Sequence, residues 1–294
     1  MTNPALAAAA GTHDLNDVTV IVVSFNSAHC MPRLGELLRE FTHVSIVDNG
    51  SEDGTAEAVA KHLPQAVWLP QGRNLGFGAA NNRALALVRT SFALMLNPDC
   101  ELDTHSVQAL VDVADQFPDA ALVAPQLIQA NGKAEVNYRW PSDRWKSSGP
   151  PAMGTCCVGF ICGAAILARM SLFSTEDWFD ERFFLYYEDD DLCLRLFQKQ
   201  RGILLAPHIQ ATHLSRGSVR GKHPWRHEYV RGYHHVQSKL IFASKHQSLG
   251  QARSLRRRLL LSTALALPVR LLLPSPRLVN RMWGRLCGLI QWQP

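Results

Sequence analysis

Between residues 183 and 195 the chain reads Phe-Phe-Leu-Tyr-Tyr-Glu-Asp-Asp-Asp-Leu-Cys-Leu-Arg, four consecutive carboxylates between an aromatic run and an amphipathic helical pattern. Acidic side chains in a row repel one another unless solvent, a cation or a cationic substrate compensates, and this crowding raises the pKa of at least one. A general base is poised in this way. Acidic residues also favour the first turn of a helix through its macrodipole, so a solvated helix cap is the competing reading. The apolar flanks favour a pocket: Phe183 to Tyr187 reads as a buried strand that delivers the carboxylates to a pocket floor.

Three further groups have suitable chemistry. Asp48, followed by Asn-Gly-Ser-Glu-Asp-Gly, ends an apolar run, where its carboxylate can accept hydrogen bonds from a nucleobase or ribose or simply stabilise a turn. Asn97-Pro98-Asp99 closes another such run, placing Asp99 where a hard divalent cation would meet it together with diphosphate oxygens; His213 is a candidate second ligand, better suited to manganese than to magnesium. The segment Asn74-Leu-Gly-Phe-Gly-Ala-Ala-Asn-Asn contains Gly76 and Gly78 but lacks the third glycine of the dinucleotide fingerprint. Its glycines would let backbone approach a diphosphate near a helix N-terminus.

The elements that must position these groups follow a βαβ rhythm, which implies a largely parallel sheet. Strands are predicted over 18–23, 44–47, 66–69, 92–96 and 120–123, and helices over 31–41, 54–62, 78–89 and 104–117. Polar turns at strand ends, Ser24 to Ser27 among them, fall where an open parallel sheet binds its ligands. Residues 129 to 155, rich in Pro and Gly, read as a long functional loop. A strand pair is predicted near 158–167, then a helix from the acidic run to about 200, and a strand over 203–206 leading to His213.

The 294 residues, 47% apolar and 19% charged, suit one large α/β domain with an appendage. The net charge of +5 is local: residues 251–294 hold eight Arg and no Asp, Glu or Lys, leaving −3 on the first 250. That argues against nucleic acid as a partner and for a terminal segment that meets an anionic surface. The apolar runs after Arg256 are shorter than the roughly 20 residues a membrane span needs, and their mixture of Arg, Leu and Trp suits an interfacial helix on anionic lipid; a helix packed on the main domain is the alternative. Seven cysteines without paired spacing suit a reducing compartment, and Cys156, Cys157 and Cys162 lack the partners of a zinc site. Residues 1–16 read as a loose tail without signal-peptide character.

Taken in order, VTVIVVSFNS (18–27), VSIVDNGSEDGT (44–55), RNLGFGAANN (73–82), LMLNPDCEL (94–102), GFICGAAILARM (159–170), FDERFFLYYEDDDLCLRL (179–196) and ATHLSRGS (211–218) resemble the family-two glycosyltransferases, in particular their bacterial rhamnosyltransferase-like branch. The resemblance covers about residues 18–245. It implies a GT-A fold over 17–245, with a nucleotide-sugar half at about 17–125 and an acceptor half at about 156–245, while the basic, helical pattern beyond it reads as an amphipathic helical segment over 246–294. It also implies inverting transfer of a sugar, L-rhamnose from dTDP-L-rhamnose being the first expectation, to a glycan or polyprenyl-diphosphate-linked acceptor in cell-surface polysaccharide synthesis at the inner face of the plasma membrane. By the resemblance Asp189 is the catalytic base within Glu188-Asp189; Glu188, Asp190 and Asp191 are candidates to bind acceptor hydroxyls or to hold Asp189 and Arg195, and the sequence does not separate these roles. Ser24, Asn26, Asp48, Arg73, Asn74, Gly76, Gly78, Asn97 and Asp99 line the donor site, Gly163 and Ala164 contact the sugar, and Asp99 with His213 holds Mg2+ or Mn2+. Asn97 departs from the family's Asp-x-Asp. Competing readings are the same fold with a UDP- or GDP-linked sugar, a catalytically silent nucleotide-binding scaffold at the membrane, and a dinucleotide-dependent oxidoreductase, which the incomplete glycine motif supports poorly.

Overall fold

The computed structural model describes residues 13–136, 138–139, 152–174, 178–214, 217, 219, 224–271 and 275–294. The expected tail over residues 1–12, residues 140–151 of the long loop, and Ser215, Arg216 and Ser218 of the 211–218 motif lie outside the described residues. From His13 onward the supposed tail is docked: the His13 imidazole lies 2.8 Å from Asp115.

The first half follows the predicted alternation: β1 (Val18–Ser24), α1 (Met31–Leu38), β2 (His43–Asp48), α2 (Thr55–His62), β3 (Val67–Pro70), α3 (Phe77–Leu85), β4 (Phe92–Leu96), β5 (Cys100–Glu101), α4 (Thr104–Gln116) and β6 (Ala120–Ile128). β3, β2, β1 and β4 are neighbours and parallel. β1 is apolar almost throughout because both of its faces are covered. Val18, Val20 and Val22 meet Leu34, Leu38 and Leu110 on one side, while Ile21 meets Ala80, Ala84 and Leu192 on the other. Each Val, Leu or Ile side chain among these contributes roughly 1.5–3 kcal/mol by leaving water.

The second half adds β7 (Tyr138–Arg139), β8 (Cys156–Cys157), β9 (Phe160–Ile161), β10 (Ala165–Arg169), α5 (Glu188–Gln198) and β11 (Gly202–His213). The strand pair expected near 158–167 is not a pair. β9 joins β7 in a separate small sheet, whereas β10 inserts antiparallel between β4 and β6. The sheet is therefore mixed, in the order β3-β2-β1-β4-β10-β6-β11-β5. β11 is one continuous strand, and its pairing with β5 sets His213 opposite Cys100, beside Asp99.

Three helices complete the chain: α6 (Pro224–His246), α7 (Leu249–Leu271) and α8 (Pro276–Gln291). α6 and α8 meet backbone to backbone. A Cβ at Gly232 would stand 2.0 Å from the Arg281 carbonyl oxygen, and one at Gly284 would stand 2.0 Å from that of Tyr229, so neither site admits a side chain at this separation. Val236, Leu240, Ala243, Ala252, Leu289 and Trp292 form their core. The basic segment thus packs on α6. α7 nevertheless leaves Leu261, Leu265 and Val269 exposed, one face at four-residue spacing. No helix among the described residues is long and apolar enough to cross a membrane.

Candidate active site

The carboxyl ends of β1, β2 and β4 and the start of α3 surround a cavity of about 230 Å³, lined by Phe25, Asn49, Asn74, Gly76, Phe77 and Asn97 among others. Asp48 organises its wall. One carboxylate oxygen accepts bonds from Ser24 Oγ at 3.1 Å and Ser51 Oγ at 2.5 Å, and the other accepts from the amides of Gly50 and Ser51 at 3.2 and 3.0 Å. Protein donors therefore engage both oxygens, and Asp48 acts on the cavity through the loop it holds. Asn26 braces the same loop, accepting from the Glu52 amide at 2.8 Å. Buried Asn49, which sequence reading passed over, ties β2 to the next loop by donating to the Gly76 carbonyl at 3.1 Å and accepting from the Leu75 amide at 3.3 Å. Arg73 is exposed beside Gly50.

The Gly-x-Gly segment packs closely against the second half of the chain. Gly76 has a φ of +89°, and a Cβ there would lie 2.3 Å from the Phe184 carbonyl oxygen, to which the Phe77 amide donates at 3.1 Å. Gly78 packs on Phe179 and Glu188. What approaches these glycines comes from the second half: loop backbone at Gly76 and the Phe179 and Glu188 side chains at Gly78. This loop is not the predicted strand: residues 181–187 form turns and bends, and Tyr186 and Tyr187 adopt left-handed φ values of 68° and 69°. Two adjacent non-glycine residues in this region carry strain of order 1–3 kcal/mol each, concentrated at the entry to α5.

The four carboxylates take distinct positions. Glu188, Asp189 and Asp190 line a second cavity of about 510 Å³ with Arg139, Tyr187 and Lys239. Asp191 does not. At 0% exposure it binds Arg195 at 2.8 Å, Lys245 at 2.6 Å and His246 at 2.7 Å. Burial alone would raise its pKa, but the bonds from His246, Lys245 and Arg195 outweigh that and hold it below the usual range. Of the two roles foreseen for Asp191, holding Arg195 fits the geometry and acceptor contact does not. Asp190 pairs with Arg139.

Asp189 is oriented by backbone: the Gly163 amide donates to Oδ2 at 3.1 Å and the Asp190 amide to Oδ1 at 2.9 Å. Burial, and then the charge of Asp190, push its carboxyl up to about 6 against those two bonds. Glu188 is 7% exposed and its Oε2 is buried without a hydrogen-bond partner among the described residues. Burial and the Asp189 charge raise it well above the usual carboxylate range. Its folded pKa therefore exceeds its unfolded value of about 4.3, the folded state binds more protons, and stability falls as pH rises through that window. Glu188→Gln should then stabilise the protein by about 1–3 kcal/mol at pH 8 and by little at pH 4. Thermal unfolding at the two pH values checks this, and equal melting temperatures for variant and parent at pH 8 would refute it.

Gly163 joins the two cavities: a Cβ there would lie 3.3 Å from the Phe77 ring and 3.7 Å from Asp189 Oδ2. Next to it, the Ala164 carbonyl accepts from the Asn97 amide at 2.8 Å, fixing β10 to the end of β4. Asp99 is buried, its Oδ2 accepting from the Gly217 amide at 2.8 Å and its Oδ1 lying 3.7 Å from His213 Nε2. Glu135 stands 3.8 Å beyond the other imidazole nitrogen. Among the described residues no group of three or more His, Cys, Asp and Glu side chains converges as for an all-protein metal cage. A hard carboxylate beside an imidazole does fit a cation whose remaining ligands are substrate phosphates and water.

α6 supplies residues that sequence reading missed. His227, Arg231, His234 and Ser238 share one face by spacing. His227 and Arg231 reach the first cavity, His234 stacks on Phe184 at 4.0 Å, and Ser238 donates to the Leu185 carbonyl at 2.9 Å. The signal was present as that periodicity, but nothing in the sequence said which face turned inward.

A mixed Rossmann-like sheet with one cavity at its strand ends, a second against α5 and α6, and a half-buried, amide-oriented carboxylate lining the second has the GT-A architecture of a glycosyltransferase. Residues 19–174 match the model for glycosyl transferase family 2, more than half of the chain. The protein belongs to that family. It is 28% identical over 240 residues to the N-acetylglucosaminyl-diphospho-decaprenol L-rhamnosyltransferase of Mycobacterium tuberculosis (strain ATCC 25618 / H37Rv), covering 71% of this chain and 77% of that one. It is 23% identical to rhamnosyltransferase WbbL of Escherichia coli (strain K12), covering 67% and 83%. Its fold is similar to that of the mannosyltransferase PcManGT from Pyrobaculum calidifontis, solved with GDP-Man and Mn2+, at a TM-score of 0.55 and 16% identity over 97% of this chain and 88% of that one.

Proposed function

We propose that this protein transfers a sugar, L-rhamnose from dTDP-L-rhamnose, with inversion onto an acceptor carried by a polyprenyl diphosphate at the inner face of the plasma membrane. The observation that carries this reading is Asp189, an amide-oriented carboxylate with a raised pKa at the junction of the two cavities. The names of the rhamnosyltransferase relatives support the sugar, and that of the Mycobacterium tuberculosis enzyme supports the polyprenyl-diphosphate acceptor.

In this reading the nucleotide occupies the cavity shaped by Ser24, Asn26, Asp48, Arg73, Asn74, Gly76 and Gly78, with Asn97 below the diphosphate and Arg231 and His227 facing it from α6. Gly163 and Ala164 border the sugar, and Asp190 with Arg139 receives acceptor hydroxyls. The acceptor hydroxyl attacks the anomeric carbon as the bond to the diphosphate oxygen breaks, and its proton passes to Asp189. Asp99 and His213 would hold Mg2+ or Mn2+, which neutralises charge on the departing nucleoside diphosphate. Nucleotide sugars screened for nucleoside diphosphate release, with divalent cation or with chelator, test the reading. The dTDP-linked donor should be preferred and chelation should slow release about 10²-fold or more, since such charge stabilisation is worth several kcal/mol. Preference for a UDP- or GDP-linked sugar would replace the donor, and undiminished release under chelation would remove the cation.

A further inference from the structure

Outside the two cavities already described, α6, α7 and α8 enclose a third of about 330 Å³. Arg270 of α7 and Arg281 and Arg285 of α8 line it, with Ala266, Leu278 and Met282 around them and no carboxylate in its walls among the described residues. The nearest acid to Arg281 is Glu228, 3.9 Å away and already bound to Arg231 at 3.0 Å. Arg285 Nε is buried without a hydrogen-bond partner among the described residues, and burial depresses the guanidinium's pKa. Three guanidinium groups gathered in apolar surroundings are costly unless an anion compensates them, and bidentate guanidinium bonding matches phosphate oxygens.

Two neighbours of this cavity give the ligand its shape. His235 lines both the arginine cavity and the cavity of Asp189, and it senses Arg281 and Arg285 as well as Asp190. On α7, Ala266 and Arg270 face the cavity while the adjoining Leu265 and Val269 are 68% and 61% exposed. A ligand that fills the site and follows both neighbours has a multiply charged phosphate group between a polar headgroup and a hydrocarbon chain.

We propose that Arg270, Arg281 and Arg285 bind the diphosphate of the lipid-linked acceptor, so that its sugar passes His235 to reach Asp189 and its polyprenyl chain lies along Leu261, Leu265 and Val269. The proposal rests on the acceptor class inferred above and adds the site that reads it. Guanidinium pairing with the diphosphate fixes the distance between membrane and base, while the apolar stripe keeps the chain out of water.

Binding of farnesyl diphosphate to the full-length protein, followed by calorimetry, tests this without requiring turnover. The unmodified protein should bind farnesyl diphosphate at least tenfold more tightly than either farnesol or inorganic pyrophosphate. Arg270→Gln and Arg285→Gln should each weaken it tenfold or more, and Arg270→Lys should recover part of the loss. Arg270 is half-exposed, so its variant reports on binding even if Arg285→Gln disturbs the helices. Equal affinity in the parent and Arg270→Gln would overturn the site. So would loss of binding to phosphatidylglycerol vesicles in the variants with farnesyl diphosphate affinity intact, which would assign the arginines to lipid headgroups. Sugar transfer to a lipid-linked acceptor with an unchanged acceptor KM in Arg270→Gln would sink this site while leaving the proposed function standing. Tight, arginine-dependent farnesyl diphosphate binding without transfer to any lipid-linked acceptor would uphold the site and refute the proposed reaction.

Discussion

Asp189→Asn is expected to lower sugar transfer about 10³-fold or more while changing nucleotide affinity less than about twofold. Asn keeps the size of the side chain and still accepts from the Gly163 amide, so the junction of the cavities retains its shape. What it loses is the capacity to take a proton from the attacking hydroxyl. The same proton transfer sets the acid limb of the wild-type pH profile. A carboxyl pushed up to about 6 must be ionised to act, so kcat/KM should climb as pH rises through about 6 and flatten above it. Because Glu188 and Asp189 titrate together, the limb reports their shared behaviour. Steady-state kinetics and nucleotide calorimetry on the variant check both halves, and near-normal turnover would remove Asp189 from the role of base.

The second large effect belongs to Gly76. Gly76→Ala should destabilise the protein by about 3–4 kcal/mol, lowering the melting temperature by roughly 6–12 °C, and should reduce turnover as well. Part of this is backbone strain, since a φ of +89° is costly for any residue with a Cβ. The larger part is collision: the added Cβ would lie 2.3 Å from the Phe184 carbonyl oxygen, and either α3 or the 184–187 loop must retreat. That loop leads directly into Glu188 and Asp189, so its retreat moves the base. Gly72 provides the control. It has a φ of +66° but nothing within 4 Å of where a Cβ would stand, so Gly72→Ala should cost only the strain, about 1 kcal/mol. Thermal unfolding of the two variants side by side measures the collision, and equal losses would show that Phe184 does not press on Gly76.

The parallel core was legible because its central strands, covered on both faces, are largely apolar runs ended by a polar turn, as in Val18 to Ser24 and Phe92 to Leu96. The acidic run was legible for a related reason: its repulsion is costly enough to require an environment. Residue types mislead where composition and conformation diverge. Phe183 to Tyr187 has the make-up of a buried strand, yet it is a bend with two left-handed residues whose rings meet His234, His235 and Phe242 of α6. The place of β10 was hidden because an antiparallel insertion carries the same apolar pattern as a parallel strand. Asp48 and Asp191 were recognised as important positions, but charge type alone does not say whether a carboxylate faces a ligand or its own protein. Asp48 is bound by its loop, and Asp191 is held between Arg195, Lys245 and His246. The glycines that bring α6 against α8, Gly232 and Gly284, lie 52 residues apart, a relation that no local pattern expresses.

Direct displacement with Asp189 as the base makes one observable statement about the product. A hydroxyl deprotonated by Asp189 attacks the face of the sugar opposite the nucleotide, so the anomeric configuration must invert. The anomer formed from dTDP-L-rhamnose and a synthetic polyprenyl-diphosphate-linked acceptor can be read from its anomeric proton and carbon signals by NMR. The account predicts a single product with the configuration opposite to the donor's; a product that retains the donor's configuration would contradict it.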